Sequence, residues 1–98
     1  MKFVQIIEFK TSKYDEIDKL MDEWMAASAG KRTPTHEISG KDRDQPDTYL
    51  QIVEFPSYEE AMRNSDMPET AQFSARIEAL CDGPPIFRNL DVVREEAL

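Results

Sequence analysis

The sequence predicts an α+β domain in which the order strand, helix, strand occurs twice. The main observation is an internal repeat: Phe3–Phe9 and Tyr49–Phe55 align at a constant offset of 46 residues, and the Gln, Ile, Glu and Phe positions are identical. Each copy then leads into a helical pattern through a tyrosine, Tyr14 in the first and Tyr58 in the second. A duplicated strand-helix unit therefore organises the chain.

The first repeat predicts an interior strand followed by an amphipathic helix. Residues 2–10 are apolar on both alternating faces, which is typical of a strand covered on both sides. Ser12 and Asp15 resemble a capping box that opens the helix, and Gly30 is expected to close it. The helix presents one stripe at a 3.6-residue period, made of Tyr14, Ile17, Leu20, Met21, Trp24, Met25 and Ser28.

The second half predicts two more helical pieces and three strands. Residues 33–41 form a weaker edge strand, and the acidic segment 42–47 is a solvated turn whose spacing does not match a calcium-binding loop. After the second repeat, Ser57 and Glu60 form a capping box, residues 64–66 interrupt the helix, and Pro68 restarts it. Gly83 and two prolines end that helix, and residues 86–94 make the last strand.

This order predicts a single ferredoxin-like βαββαβ domain over residues 1–98, with sheet order 4-1-3-2 and the two repeat strands as a central parallel pair. Two helices cover only one face of a four-stranded sheet, yet the first, third and fourth strands carry apolar residues on both faces. We therefore expect a homodimer, an α+β barrel in which two sheets pack face to face.

Charge and composition exclude several classes of partner. Twenty acidic against 12 basic residues give a net charge of −8, which repels nucleic-acid phosphates and anionic membrane surfaces. The single cysteine, Cys81, forms no internal disulfide, and its helical context predicts a packed thiol. The amino terminus is too short and polar for a signal peptide, so a cytoplasmic protein is expected.

Two segments carry a resemblance to a known group of proteins. They read Tyr49-x-x-Ile52-Val53-Glu54-Phe55-x-Ser57-Tyr58-Glu59-x-Ala61-Met62-x-Asn64-Ser65 and Pro68-Glu69-Thr70-x-x-Phe73. With them the chain resembles the dimeric α+β barrel superfamily, which includes antibiotic-biosynthesis-type monooxygenases, and in particular its small uncharacterised bacterial members. The resemblance covers nearly the whole chain and implies a fold and a dimer, but no established catalytic residues.

One row of polar residues is a candidate for chemistry. If Glu8 and Glu54 lie at the same level of a parallel pair, the simplest register places Arg88 beside Glu8 and His36 beside Glu54. Such a row would suit proton transfer, with His36 as the titrating partner and Glu8 and Arg88 as ligand contacts. The alternative is a charge-balanced strip that fixes strand register.

The opposite sheet face offers further candidates for ligand contact. Gln5 and Gln51 are expected to neighbour each other there, where their amides orient a ligand or satisfy each other. Trp24 and Tyr49 are large enough to line a pocket, although aromatic residues at such spacing also form cores.

Three functions stay open at this point. The first is a homodimer that binds a small, mainly apolar ligand or serves as an accessory module. The second, implied by the resemblance, is a cofactor-free monooxygenase or isomerase acting on an aromatic, polyketide-like substrate through His36 or Glu54. The third is dimerisation alone. Whether the protein is an enzyme is undecided, and no cofactor or metal is expected, since a single histidine offers no histidine-based metal cluster.

Overall fold

The computed structural model describes all 98 residues and contains four strands and three helices. In chain order the elements are β1 (Phe3–Lys10), α1 (Tyr14–Ala27), β2 (His36–Lys41), β3 (Thr48–Phe55), α2 (Tyr58–Ser65), α3 (Pro68–Ala79) and β4 (Ile86–Asp91). The sheet order is β2-β3-β1-β4, which confirms the predicted ferredoxin-like topology. No helix is long and apolar enough to cross a membrane.

The prediction that the two repeat strands run parallel is wrong. β1 and β3 are antiparallel, with Phe3 opposite Phe55 and Phe9 opposite Tyr49. The physical reason lies in the topology. β1 and β2 run in the same direction because a helix connects them, and β3 leaves β2 through a hairpin to lie between them, so it must run against both.

Because β1 and β3 pair antiparallel, the sequence repeat is also a local symmetry of the structure. Ile6 and Ile52 are equivalent in the repeat, and they also face each other in the ladder. Each pair of facing residues on one side of Ile6 and Ile52 is related by the repeat to a pair of facing residues on the other side. A local two-fold axis therefore passes between Ile6 and Ile52 and relates the two halves of the domain.

The helices cover one face of the sheet and bury the odd-numbered residues of β1 and β3. Phe3, Phe55 and Ala61 form the densest cluster, each with at most 3% of its surface exposed. Ile17, Leu20 and Trp24 of α1 are also buried, as the helical stripe predicted. The other sheet face, which carries the even-numbered residues, has no helix over it and is called the open face below.

Of the two capping boxes that the sequence predicts, one is present in the structure and the other is not. The Ser57 hydroxyl accepts a hydrogen bond from the Glu60 backbone N–H at 3.2 Å, so the second capping interaction is confirmed. The Ser12 capping box is wrong: α1 has Lys13 as its N-cap, without a side-chain cap. The Thr11 hydroxyl instead accepts from the Lys13 backbone N–H at 3.0 Å.

The break between α2 and α3 is confirmed. α2 ends at Ser65, and α3 begins at Pro68 with Met67 as its N-cap. Asn64 does not cap α3, because its side chain turns inward and is only 7% exposed. Ala61 lies three residues earlier on the same helical face and is also buried, which accounts for the inward direction of Asn64.

Candidate functional site

A cleft lies between the helices and the covered face of the sheet. It holds a partly open cavity of about 140 Å³, and its 15 lining residues come from all three helices, all four strands and the loop after α1. A second cavity of about 70 Å³ adjoins it and shares five lining residues. An engineered apolar cavity of about 150 Å³ holds one benzene ring, so the main cavity has room for one ring and its neighbour for an extension.

Aromatic side chains form much of the apolar wall. Trp24 lies at the helix side, with its ring centroid 5.8 Å from that of Phe73, and its indole N–H donates to the Thr70 hydroxyl at 3.1 Å. Phe87 enters from β4, where it faces Ile7 of β1. This wall offers flat surfaces for stacking against a planar ligand.

Polar side chains project into the same cleft. They are Gln5, Glu37, Gln51, Asn64, Ser65, Thr70 and Ser74. Gln5 donates from Nε2 to Asn89 Oδ1 at 3.1 Å, and Gln51 Nε2 lies 3.9 Å from Met21 Sδ. The two glutamines do not bond to each other, because the antiparallel register pairs Gln5 with Val53 and Ile7 with Gln51 and so places them on a diagonal.

Asn64 is the most unusual residue of the cleft. Its Oδ1 atom is fully buried and has no hydrogen-bond partner in the protein. Burying an unpaired polar group costs about 1–3 kcal/mol, so such groups are rare and often functional. Asn64 also lines the main cavity, so its side chain is the candidate for a hydrogen bond to a ligand there.

A larger groove lies outside the cleft but does not resemble a site for an apolar ligand. It runs between α1 and α3 with a volume of about 520 Å³. Four of its seven lining residues are charged, and two of them, Glu23 and Arg76, form a 2.9 Å ion pair at its edge. Water solvates such a surface well, so the cleft is the better candidate.

The predicted row of His36, Glu54, Glu8 and Arg88 is only partly formed. His36 does lie opposite Glu54, with 3.2 Å between His36 Nδ1 and Glu54 Oε2. Glu8 pairs with Leu50 and Ile86, while Arg88 pairs with Ile6. No ion pair joins Glu8 to Arg88, so that half of the row is wrong.

The antiparallel register explains this failure. Glu54 pairs with Val4, so Glu8 lies four residues further along the strand, about 13 Å away at 3.3 Å per residue. The two carboxylates therefore cannot share a proton. In the same register Leu90 pairs with Val4, and Ile38 pairs with Ile52.

A different charged row crosses the end of the sheet on the open face. Glu54 Oε2 is shared by His36 at 3.2 Å and Lys2 Nζ at 3.7 Å, and Lys2 also bonds to Glu95 Oε2 at 2.8 Å. The hydrogen bond that Lys2 donates to Glu95, together with the negative charges of Glu54 and Glu95, raises the pKa of the Lys2 ammonium despite some opposing desolvation. The row connects β2, β3, the start of β1 and the tail after β4.

The sequence-predicted site residues thus divide between two faces. Trp24, Gln5 and Gln51 line the cleft. His36, Glu54, Glu8 and Arg88 have the opposite strand parity and lie on the open face. Tyr49 is on the helix side but outside the cleft, stacked on Tyr14 at 4.3 Å between ring centroids.

The ferredoxin-like fold is shared with solved proteins that are described as antibiotic biosynthesis monooxygenases or as a cofactor-independent oxygenase. An asparagine-to-alanine variant of SnoaB, a cofactor-independent oxygenase from Streptomyces nogalater, superposes with a TM-score of 0.81 at 13% identity, covering 96% of this chain and 95% of that one. A structure described as an antibiotic biosynthesis monooxygenase superposes with a TM-score of 0.74 at 16% identity, covering 96% of this chain and 100% of that one.

A conserved protein from Methanosarcina mazei Go1 is similar as well, with a TM-score of 0.80 at 6% identity over 92% of this chain and 91% of that one. At these identities the similarity establishes the fold. No protein-family model matches the sequence, and no curated protein matches it.

Proposed function

We propose that the protein binds a small planar, mainly apolar ligand of one or two rings in the cleft between its helices and its sheet. The observation that carries the proposal is the combination of an aromatic-walled cavity with the unpartnered, buried Asn64 carbonyl. Small-molecule sites are concave and mostly apolar, with a few polar groups that orient the ligand. A phenol fits both requirements, because its ring stacks on the wall and its hydroxyl donates a hydrogen bond.

The proposal is tested by titrating the protein with 2-naphthol. Trp24 is the only tryptophan and lies in the cleft, so its indole N–H gives a single NMR signal that reports occupancy. We expect that signal to shift in a saturable way. Ser74→Phe fills the cleft from α3 and abolishes the shift, whereas Ala75→Phe, one residue along the same helix and outside the lining, preserves it. Equal binding of 2-naphthol by both variants would mean that the ligand binds outside the cleft.

Cofactor-independent oxygenation of such a ligand is the second candidate function. The structural similarity to SnoaB favours it, as does the wall of aromatic residues around Trp24. Glu37 is the only carboxylate that lines the main cavity, so we assign to it the acceptance of a phenolic proton. His36 and Glu54 do not take this role here, because they lie on the opposite side of the sheet.

Oxygen consumption with 1,5-dihydroxynaphthalene tests this second function. One O₂ oxidises one dihydroxynaphthalene to a hydroxynaphthoquinone: one oxygen atom becomes the new carbonyl, and the other leaves as water with two hydrogens. We expect Glu37→Gln to lower kcat and His36→Ala to leave it unchanged. Binding without oxygen uptake would leave the protein as a ligand-binding or accessory module.

We also propose that a second copy of the chain covers the open face. Ile38 is 63% exposed, Ile86 48% and Leu90 44%, and all three lie on this face. A contiguous exposed apolar surface marks an interface, and homodimers are the commonest soluble assemblies. We expect Ile38→Glu to give a monomer in light scattering, while Val93→Glu, at a residue already 93% exposed beyond β4, leaves the dimer intact. A monomeric wild type would overturn this assignment.

A further inference from the structure

The charges around the cleft carry one more inference, which rests on the proposed ligand-binding function. Among the lining residues of the main cavity, Glu37 is the only charged side chain. In the adjoining cavity the only charged side chain is Glu78. No lysine, arginine or histidine lines either cavity. A carboxylate therefore stands at each end of the cleft, and no cation faces a ligand.

Cationic side chains of α3 and of the loop after α1 are already engaged. Arg76 pairs with Glu23 at 2.9 Å, and Lys31 lies 3.7 Å from Glu69. Arg32 donates to the Met25 carbonyl at 2.9 Å. The net charge of −8 adds a negative field over the whole surface. An anionic ligand would thus lose water without gaining a cationic partner.

Glu37 is well placed to exert this selection. It lies on the edge strand β2 opposite Val53, another residue of the cavity wall. One carboxylate oxygen, Oε1, is held by the Ser39 hydroxyl, while no protein donor bonds to Oε2. The side chain is solvent-exposed and lines the cavity, so it stands at the mouth where a polar substituent of a ligand would lie.

We infer that the cleft selects neutral or cationic aromatic ligands and rejects anionic ones, with Glu37 and Glu78 setting the selection. A unit charge about 5 Å from a carboxylate in a solvated site is disfavoured about threefold to fivefold at moderate salt. The second carboxylate, at the other end of the cleft, adds a smaller penalty, because the Coulomb energy falls with distance and salt screens it further. Aromatic acids, sulfonates and phosphorylated carriers are therefore poor ligands, and phenols, amides and aromatic amines are good ones.

Three probes of equal size test this selection: naphthalene-2-carboxamide is neutral, 2-naphthoate is anionic, and 2-(aminomethyl)naphthalene is cationic at pH 7. Calorimetry gives each Kd, and the Trp24 indole signal confirms the site. We expect Kd for the naphthoate to be about fivefold higher than for the carboxamide, and this ratio to shrink as salt is added.

Two variants that each remove one negative charge distinguish the effect of a charge at the cleft from the effect of the net charge. Glu37→Gln should reduce the naphthoate-to-carboxamide ratio about threefold to fivefold. Asp44→Asn changes the net charge by the same amount in the exposed β2–β3 turn, distant from the cleft, and should leave the ratio unchanged. Equal binding of the naphthoate and the carboxamide, or an equal response to both variants, would overturn the inference while leaving cleft binding intact. If none of the three probes binds, the proposed function itself fails, and the inference fails with it.

Discussion

Replacing Asn64 by leucine should stabilise the unliganded protein and weaken ligand binding. Asn64 is 7% exposed, and its Oδ1 has no partner in the protein. Leucine has a similar size, removes the unpaired carbonyl, and suits the interior of α2 better than asparagine. Removing the unpaired Asn64 carbonyl raises the free energy of unfolding by about 1–3 kcal/mol, and the higher helix propensity of leucine adds up to roughly 0.5 kcal/mol.

In a domain of this size each kcal/mol raises Tm by about 4–8 °C. We therefore expect Asn64→Leu to raise Tm by at least about 4 °C, measured by calorimetry at fixed protein concentration. The same variant should bind 2-naphthol at least about threefold more weakly, because one hydrogen bond to the ligand is lost.

Asn64→Asp is the opposing control, because it places an unpaired charge in the same buried position. We expect it to lower Tm by several degrees. A lower Tm for Asn64→Leu would refute the reasoning, since it would mean that the Asn64 amide makes interactions that stabilise the folded state. Unchanged affinity for 2-naphthol would mean that Asn64 does not contact the ligand.

Three further predictions concern a cap, the open face and the thiol. Ser57→Ala should lower the free energy of unfolding by about 1 kcal/mol and lower Tm by about 4–8 °C. Ser12→Ala removes no cap and should leave Tm unchanged. Calorimetry measures both Tm values, and equal effects of the two variants would contradict the prediction. His36→Ala should leave the affinity for 2-naphthol unaltered, because His36 lies on the open face, and a tenfold loss in titration calorimetry would contradict that placement. Burial, followed by the charges of Asp82 and Glu78, raises the pKa of the Cys81 thiol, so its thiolate fraction near pH 8 is low. Alkylation by iodoacetamide should therefore be slower in the folded protein than in the urea-unfolded chain, and equal rates would contradict the shift.

The fold was predictable because its signals are local and repeated. The strand repeat, the Ser57 cap and the Pro68 restart each depend on residues close in sequence, and the structure confirms them. His36 opposite Glu54 was also predictable, since a short hairpin sets that register. The partners of Glu8 were predicted wrongly, because the repeat strands were taken as a parallel pair although the hairpin from β2 makes β3 antiparallel to β1.

The candidate site was predictable only in part. Trp24, Gln5 and Gln51 follow from the helical stripe and from strand alternation. The position of Phe87 in the cleft depends on the pairing of β4 with β1, which residues close in sequence do not determine. Asn64 was missed, although its spacing from Ala61 places it on the buried face of α2. The absence of a protein partner for its carbonyl depends on how α2, α3 and the sheet pack together.

The most direct test of ligand binding in the cleft is to measure intermolecular NOEs between bound 2-naphthol and the protein. Binding in the cleft predicts contacts from the naphthol ring to the Trp24 indole and to Phe87, on the covered side of the sheet. It predicts none to His36 or Ile38, on the open face. Contacts to His36 or Ile38 without contacts to Trp24 would contradict the assignment of the cleft as the ligand site.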